Sequence, residues 1–298
     1  MAKDLAFSYS KRASRAALRN CSFSLQRGSI TGLVGANGAG KSTLIKILAT
    51  ILRPDAGQVA VDGLDLHDAA SRRVGRKVSL VAQERPLYRH LSVGEMLRVA
   101  KALNFHWHPV RANAWLERFN IPLDRKCGQL SGGQQAQVSL ALAVATAPAV
   151  LLLDEPVASL DPIARSEVTS QLVAESEEHG TTILVSSHVV SELANLVSDL
   201  IVLKSGELVL QGNADDICNS HARLMTSTPK VDTTSIHQIY HFERDNTSIV
   251  RVADDSVMKQ MLNESSARSV SLEEIVLAYL SSKDPGVREG SNPLAGVK

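Results

Sequence analysis

The sequence predicts an α/β fold with an antiparallel β edge, a helical insert and a small C-terminal α+β appendix. Three observations support this prediction: apolar runs that end in glycine-rich or acidic segments, long helical patterns between residues 87 and 145, and a change of composition near Asp215. With 298 residues, of which 44% are hydrophobic, the chain can build one large core and a smaller addition. We therefore expect one large α/β domain followed by a small one.

Composition argues against several function classes. Lys and Arg total 32 against 31 for Asp and Glu, so the formal net charge of +1 gives no electrostatic footprint for nucleic acid. Three separated cysteines, Cys21, Cys127 and Cys218, fit neither a disulfide framework nor a zinc site, which favours a reducing cytoplasm. Met1–Asp4 lacks the apolar core of an export signal. The most apolar stretch, Val138–Leu153, is interrupted by a proline and is shorter than the roughly 20 residues that span a bilayer.

The first residues predict the antiparallel β edge. Leu5, Phe7 and Tyr9 alternate with polar residues, the basic segment Lys11–Arg15 breaks the pattern, and Ser22–Leu25 alternates again. After the next strand and helix, turns at 54–57 and 62–63 enclose a short predicted strand at 58–61.

A glycine-rich loop separates the predicted strand Ile30–Val34 from a helical pattern at Leu44–Leu52. The spacing G-x-x-x-x-G-K-[ST] suits a polyphosphate, because glycines let successive N–H groups point into one concave nest. Lys41 supplies a charge for the β- and γ-phosphates, the Ser42 hydroxyl is a hard ligand for Mg²⁺, and the helix start adds its dipole. The alternative is an ordinary glycine-rich turn. The loop comprises Gly35, Ala36, Asn37, Gly38, Ala39, Gly40, Lys41, Ser42 and Thr43.

A second anion-binding helix start is predicted in the helical insert. Beyond a short strand at Val78–Val81, helical patterns cover 92–102 and 111–119, and a loop at 121–128 leads to Leu130–Gln134. Ser131 occupies the N-cap position, and two glycines expose backbone N–H groups at the start of a helix that runs to about Ala145.

Two carboxylates follow the buried strand pattern that begins at Val150. Ligands of open α/β sheets bind at the carboxyl ends of the strands, so Asp154 and Glu155 stand where a metal ligand and a catalytic base belong. A polar strand exit is the alternative. Asp161 is expected to cap a helix that ends before Gly180, and the strand at 182–185 leads to His188. His188 is expected to share the face of Gln83, Asp154 and Glu155.

The remaining chain predicts a hairpin and then the appendix. The hairpin strands are 200–203 and 207–210, and the composition changes after about Asp215. The tail 281–298, rich in Ser, Gly, Pro and charge, is expected to be disordered. The predicted appendix elements are a helix at Asp216–Met225, strands at Ile236–Arg244 and Ser248–Ala253, and helices at Val257–Asn263 and Leu272–Leu280.

In this order, the loop 35–43, the segment Leu130–Gln134, the Asp154–Glu155 pair and His188 resemble the nucleotide-binding subunits of ATP-binding-cassette (ABC) transporters. Leu130–Gln134 at its distance ahead of the acidic pair carries the resemblance, since phosphate loops are shared by many ATPases. The resemblance covers roughly residues 3–215. It implies a P-loop NTPase cassette at 1–215 with a helical signature subdomain at about 87–145. The change of composition separates from it an accessory domain at 216–280 and the tail 281–298.

The resemblance also implies the cofactors ATP and Mg²⁺ and the residues that bind them. Tyr9 corresponds to the aromatic residue that stacks on adenine. Asp154 and Ser42 correspond to the metal site, and Gln83 to the residue that reaches Mg²⁺ and water and senses the membrane partner.

Further residues correspond to catalytic and dimer contacts. Glu155 corresponds to the general base and His188 to the switch histidine on the γ-phosphate. Ser131 and Gly133 correspond to signature residues that close on the γ-phosphate held by the other subunit. The loop Ser159–Asp161 corresponds to the segment that links the two sites, and Asp161 is its nucleotide-site residue.

The finer resemblance is to the drug and antibiotic exporter branch, through Gln135–Val138 and Leu272–Leu280. The chain departs from the common pattern at Gln137 and Leu142, where many relatives carry arginine. The leading expectation is an ATPase that powers export of a drug, antibiotic or lipid-like substrate through a separate membrane subunit. It would be peripheral on the cytoplasmic face of the membrane and paired as a homodimer or with a second ATPase chain.

Two alternatives remain open. The first is a soluble ABC-type ATPase that acts on the ribosome or DNA, against which stand a single set of motifs, no heptad insertion and no basic balance. The second is that residues 216–280 form a sensor module with its own ligand, rather than an appendix that packs or supports a dimer.

Overall fold

A computed structural model describes residues 1–10, 16–68, 78–84, 87–158, 160–194, 196–225, 235–242, 246–263 and 267–282. The predicted break at 11–15, Ser159 of the predicted linking loop and the tail beyond 282 lie outside these ranges.

The described elements alternate strands and helices over most of the chain. The strands are β1 Ala2–Phe7, β2 Leu18–Phe23, β3 Ile30–Val34, β4 Ala56–Val61, β5 Leu64–Asp65, β6 Val78–Val81, β7 Val150–Asp154, β8 Thr182–Ser187, β9 Asp199–Lys204, β10 Glu207–Asn213, β11 His221–Leu224, β12 Ile236–Phe242, β13 Thr247–Val252 and β14 Ala267–Ser269. The helices are α1 Lys41–Leu48, α2 Val93–Leu103, α3 Pro109–Arg118, α4 Gly132–Val144, α5 Pro162–His179, α6 Ala214–Asn219, α7 Asp255–Asn263 and α8 Leu272–Ser281.

A six-stranded central sheet organises the molecule, with strand order β10-β9-β3-β8-β7-β6. All its pairings are parallel except the β9–β10 hairpin. Every residue of β3 and β8 is buried, which explains why neither strand alternates apolar and polar residues along its length. The carboxyl ends of β3, β8, β7 and β6 therefore lie along one edge of the sheet.

The predicted antiparallel edge is confirmed as a second sheet, in the order β2-β1-β4-β5. Leu5 and Leu18 of this sheet, Leu44 of α1, and Leu33 and Leu152 of the central sheet belong to one buried cluster. The short strand β5 was not predicted. Helix α1 ends at Leu48, four residues before the predicted end, because Ala49 leaves the helical conformation.

The helical insert is confirmed as α2, α3 and α4, which belong to the core on the other side of the central sheet. Ser92 caps α2: its hydroxyl accepts from the Glu95 backbone N–H, and the Glu95 carboxylate accepts from the Ser92 N–H. This reciprocal pair is a capping box, and it fixes where the first helix of the insert begins.

The appendix is α+β as predicted, but one of its elements was wrong. A single helix was predicted at Asp216–Met225, whereas α6 ends at Asn219 and β11 follows at His221–Leu224. The backbone of β11 pairs with both β13 and β14, and these pairings override the local helical preference. The strand order of this sheet is β12-β13-β11-β14, and β14 was not predicted.

Helix α8 attaches the appendix to the cassette. Ile275, Val276 and Tyr279 of α8 share a buried cluster with Val190 and Leu193, which follow β8. At the C-terminal end of α8, Lys204 Nζ donates to the Tyr279 carbonyl at 3.0 Å and to the Ser282 carbonyl. No described helix is long and apolar enough to cross a membrane.

Candidate active site

The phosphate loop has the backbone that its glycines predict. Gly40 lies at φ 111°, in the region that disfavours side chains, and a Cβ on Gly35 would lie 2.3 Å from the Leu203 carbonyl oxygen. No side chain caps the start of α1 at Gly40. Lys41 is buried, and its Nζ donates to the carbonyls of Gly35 at 2.7 Å and Ala36 at 3.3 Å. The Lys41 side chain thus folds back onto the backbone of its own loop.

Lys41 also interacts with the predicted acidic pair. Burial lowers the pKa of the Lys41 ammonium, and the negative charges of Glu155 and Asp154 oppose that shift. Burial is the larger of these effects, so any further negative charge nearby, such as that of phosphates, would favour the cation. The loop and the carboxylates therefore belong to one site.

Tyr9 lies beside the loop. Its hydroxyl is 3.0 Å from Thr43 Oγ1, and its ring meets Phe7 edge to face with centroids 5.0 Å apart. The Tyr9 side chain is nevertheless 66% exposed, so one face of the ring is open to a planar partner. Within the loop, Ala36, Asn37 and Gly38 are exposed, Ala39 and Thr43 are buried, and Gly40 and Ser42 are half-buried.

Asp154 and Glu155 are positioned by a serine that the sequence analysis did not single out. The Ser186 hydroxyl donates to Asp154 Oδ1 at 2.7 Å and accepts from the Glu155 backbone N–H at 3.1 Å. Glu155 has φ 51°, a left-handed conformation that costs energy in a residue other than glycine. Ser186 is fully buried and is the register partner of Asp154 in the parallel β7–β8 pair. A polar residue at that position of a buried strand was the available signal.

Glu155 is the centre of a hydrogen-bonded cluster. Gln83 Nε2 donates to Glu155 Oε2 at 3.3 Å, and His188 Nδ1 lies 3.1 Å from Glu155 Oε1. The Glu155 side chain is 12% exposed and that of His188 is 45% exposed. The structure thus brings together Gln83, Glu155 and His188 from the ends of three strands, next to the loop that carries Lys41.

The signature segment lies apart from this cluster. Ser131 is exposed and caps α4, since its hydroxyl accepts from the Gln134 N–H while the Gln134 side chain accepts from the Ser131 N–H. A Cβ on Gly133 would lie 3.1 Å from Leu160 Cδ2. In the part of the chain that the structure describes, no hydrogen bond joins Ser131 or Gly133 to the phosphate loop. The structure does not bring these residues to Lys41.

Asp161 has a structural partner. Its carboxylate accepts from the N–H groups of Ile163 and Ala164, both at 3.0 Å, and so caps α5. The preceding residue, Leu160, is the one that approaches Gly133. The structure therefore places Asp161 next to the signature segment rather than next to the phosphate loop.

The donor set near Lys41 fits Mg²⁺. The Ser42 hydroxyl, the Asp154 carboxylate and the Gln83 amide offer hard oxygen atoms, which Mg²⁺ prefers. Within the described ranges, no cluster of three or more His, Cys, Asp or Glu side chains could hold a metal ion by itself.

Comparison with known proteins identifies the family. The profile of the ABC transporter family matches residues 18–158. The lipopolysaccharide export system ATP-binding protein LptB of Haemophilus influenzae is 31% identical over 229 residues, which cover 73% of this chain and 92% of that protein. The chain belongs to the ATP-binding-cassette ATPases. This confirms the predicted family, whose members bind and hydrolyse ATP.

Other relatives of this ABC ATPase serve different systems. The methionine import ATP-binding protein MetN 1 of Listeria innocua is 34% identical over 67% of this chain, but the match covers only 62% of that protein. The daunorubicin resistance ATP-binding protein DrrA3 of Streptomyces coeruleorubidus is 35% identical over 67% of this chain and 65% of that protein. Importers and exporters are thus both among the relatives, so similarity alone does not fix the direction of transport.

Solved structures confirm the cassette fold. The ATP-binding subunit of an ABC transporter matches with a TM-score of 0.64 and 27% identity, over 72% of this chain and 90% of that one. A dimeric cassette in a post-hydrolysis state bound to ADP and Pi matches with a TM-score of 0.64 and 26% identity, over 71% of this chain and 97% of that one.

Proposed function

We propose that this chain hydrolyses ATP with Mg²⁺ and thereby powers export through a separate integral membrane subunit. The observation that carries the catalytic part is the position of Glu155, held between Gln83 and His188 and within electrostatic range of Lys41. A carboxylate in that environment can accept the proton of a water molecule that attacks a phosphate on the loop.

Nucleotide binding is assigned to the loop and to Tyr9. The backbone of Gly35–Thr43 and the start of α1 surround the β-phosphate, and Lys41 exchanges its two carbonyl contacts for phosphate oxygens. The exposed Tyr9 ring, supported by Phe7 and Thr43, stacks on the adenine.

In the hydrolytic step, the water oxygen bonds to the γ-phosphorus while the bond to the β–γ bridging oxygen breaks. Glu155 accepts the proton of the water, and His188 donates a hydrogen bond to a γ-phosphate oxygen. Ser42, Gln83 and Asp154 would hold Mg²⁺, which would supply positive charge against the charge that develops on the phosphates. Lys41 adds positive charge to the same oxygens, so the protein stabilises the dispersed negative charge of the transition state.

The second half of the site is assigned to another ATPase chain, either an identical copy or a different one. Ser131 and Gly133 are exposed or half-exposed at a helix start and do not contact the phosphate loop of their own chain. In a pair arranged about a two-fold axis, they would cover the γ-phosphate that the other chain holds. A dimeric cassette is among the solved structures that this chain resembles, which supports pairing of two chains.

Two observations favour export over import. Gln135–Val138 and Leu272–Leu280 resemble the drug and antibiotic exporter branch, and the chain is similar to DrrA3 and LptB. The membrane subunit would place the chain on the cytoplasmic face, with Gln83 responding to it. Importers of methionine and thiamine among the relatives are the opposing observation. Action on the ribosome or DNA is disfavoured by the net charge of +1.

Two variants test the catalytic assignment. Lys41→Ala removes a ground-state phosphate contact, so we expect nucleotide binding to be lost. Glu155→Gln removes the base but keeps the shape of the side chain, so ATP should bind normally while turnover falls by about a hundredfold or more. Titration with a fluorescent nucleotide and measurement of phosphate release distinguish the two. An equal loss of ATP binding in both variants would contradict these roles.

A fractionation experiment tests the membrane partner. If an adjacent reading frame encodes a protein with about six apolar spans, co-expression with it should make this chain sediment with membranes, whereas the chain expressed alone should remain in the supernatant. Sedimentation with ribosomes, or no change on co-expression, would overturn the transporter assignment.

A further inference from the structure

We propose that Glu192 is a positioning residue for His188, and that its ion pair with Arg165 sets where the histidine points. This inference rests on the proposed function, because it concerns the histidine assigned to the γ-phosphate. Glu192 lies in the turn at 190–192 that follows β8, and the sequence analysis gave it no role.

The Ser187 hydroxyl makes hydrogen bonds that fix the backbone before and after His188. The Ser187 hydroxyl donates to Glu192 Oε2 at 2.9 Å and accepts from the Val189 backbone N–H at 3.0 Å. Ser187 and Val189 are the two chain neighbours of His188, so the backbone on either side of the histidine is fixed by one hydroxyl. The orientation of that hydroxyl depends in turn on the Glu192 carboxylate.

Arg165 holds the other oxygen of this carboxylate. Its Nη2 lies 3.2 Å from Glu192 Oε1, and the Glu192 side chain is only 10% exposed. The Glu192 carboxylate is therefore held from two sides, by the Ser187 hydroxyl and by the Arg165 guanidinium.

The bridge joins two functional segments. Arg165 lies in the first turn of α5, which begins at the cap Asp161, next to the Leu160 side chain that approaches Gly133. Glu192 belongs to the segment that follows His188. The Arg165–Glu192 pair therefore fixes the distance between the histidine and the part of the chain that contacts the signature helix.

Loss of the bridge should affect catalysis rather than binding. Small misplacements of a catalytic group are costly, so we expect Glu192→Ala to lower kcat about tenfold or more while the Kd for ATP changes less than about twofold. Glu192→Gln keeps the size and one acceptor, and it should retain an intermediate rate. Glu167→Ala removes an exposed glutamate from α5, the helix of Arg165, and serves as the matched control with unchanged kcat.

A double variant separates positioning from general damage. If Glu192 acts through His188, then Glu192→Ala should cause no further loss of kcat in a His188→Ala background, followed as radiolabelled phosphate release over hours. Additive losses, or unchanged kcat in Glu192→Ala, would overturn the proposal. A common loss of ATP binding and melting temperature in both Glu192→Ala and the isosteric Glu192→Gln would also overturn it. If the unaltered chain hydrolyses no ATP, the proposed function itself fails, and this inference fails with it.

Discussion

The starts of α1 and α4 are both suited to anions, but they are capped differently. At α1, Gly40 offers no side-chain cap, and the first helical residue, Lys41, is 6% exposed at the carboxyl edge of the central sheet. At α4, the exposed Ser131 forms a complete capping box with Gln134. The α1 start thus has donors left for a ligand and lies near the carboxylates of Asp154 and Glu155, whereas the α4 start is capped and exposed.

This difference is the one that the proposed site shared between two chains requires. The Ser131 hydroxyl accepts one hydrogen bond from Gln134 N–H, so its own hydrogen remains available to donate to an incoming phosphate oxygen. Its capping role does not prevent it from binding a second molecule. The predictions below separate the capping role of α4 from this binding role.

The largest effect is expected at Ser131. Ser131→Ala removes a cap, which should cost about 1 kcal/mol of folding free energy, and it also removes a donor to the γ-phosphate. A hydrogen bond to a charged group contributes about 2 kcal/mol, so kcat should fall about thirtyfold. Ser92→Ala is the matched control, because Ser92 forms the same capping box at α2.

Thermal denaturation and ATPase rates distinguish the two serines. Both variants should lose similar stability, but only Ser131→Ala should lose activity. Equal ATPase rates in the two variants would show that Ser131 is a cap and nothing more.

A smaller effect is expected at the neighbouring glycines. A Cβ on Gly133 would lie 3.1 Å from Leu160 Cδ2, whereas a Cβ on Gly132 meets no atom within 4 Å. Gly132→Ala should therefore stabilise the helix by up to about 1 kcal/mol, and Gly133→Ala should gain less, since Leu160 must shift. Because Leu160 precedes Asp161 at the proposed subunit contact, Gly133→Ala should also lower kcat by about threefold to tenfold. If Gly132→Ala and Gly133→Ala have the same ATPase rates and melting temperatures, the Gly133–Leu160 contact contributes to neither stability nor activity.

These elements also show what sequence reasoning could predict. The shared edge of Asp154, Glu155 and His188 followed from strand ends, because parallel strands bring their carboxyl ends together, and Lys41 followed from the spacing of the glycine-rich loop. Ser186 was missed, since its role depends on the register that sets it opposite Asp154. Register between distant strands is a tertiary property that local patterns do not contain.

The appendix was predicted less well for a related reason. Strand β11 reads locally as the end of a helix, and only its pairing with β13 and β14 makes it a strand. The attachment of α8 to the turn after His188 was not anticipated either. That shared core favours a packing role for residues 216–280 over an independent sensor module.

The smallest effect on activity is expected at a helix end outside the nucleotide site. Lys204 donates to the last carbonyls of α8, so Lys204→Met should cost about 1 kcal/mol of stability, because the α8 carbonyls lose a charged partner. The exposed Lys259 of α7 gives the control Lys259→Met. ATPase rates of both should stay within about twofold of the unaltered chain. A large loss of ATPase in Lys204→Met alone would mean that α8 takes part in the site.

In the proposed dimer, two chains complete one nucleotide site. ATP should favour the closed pair, because its γ-phosphate contacts Lys41 of one chain and Ser131 of the other. Size-exclusion chromatography of Glu155→Gln tests this most directly, since that variant holds ATP without turnover. With ATP and Mg²⁺ it should elute as a dimer, and with ADP, or with a further Ser131→Arg change, as a monomer. The same elution volume with ATP, with ADP and in the Ser131→Arg variant would contradict a nucleotide site shared between two chains.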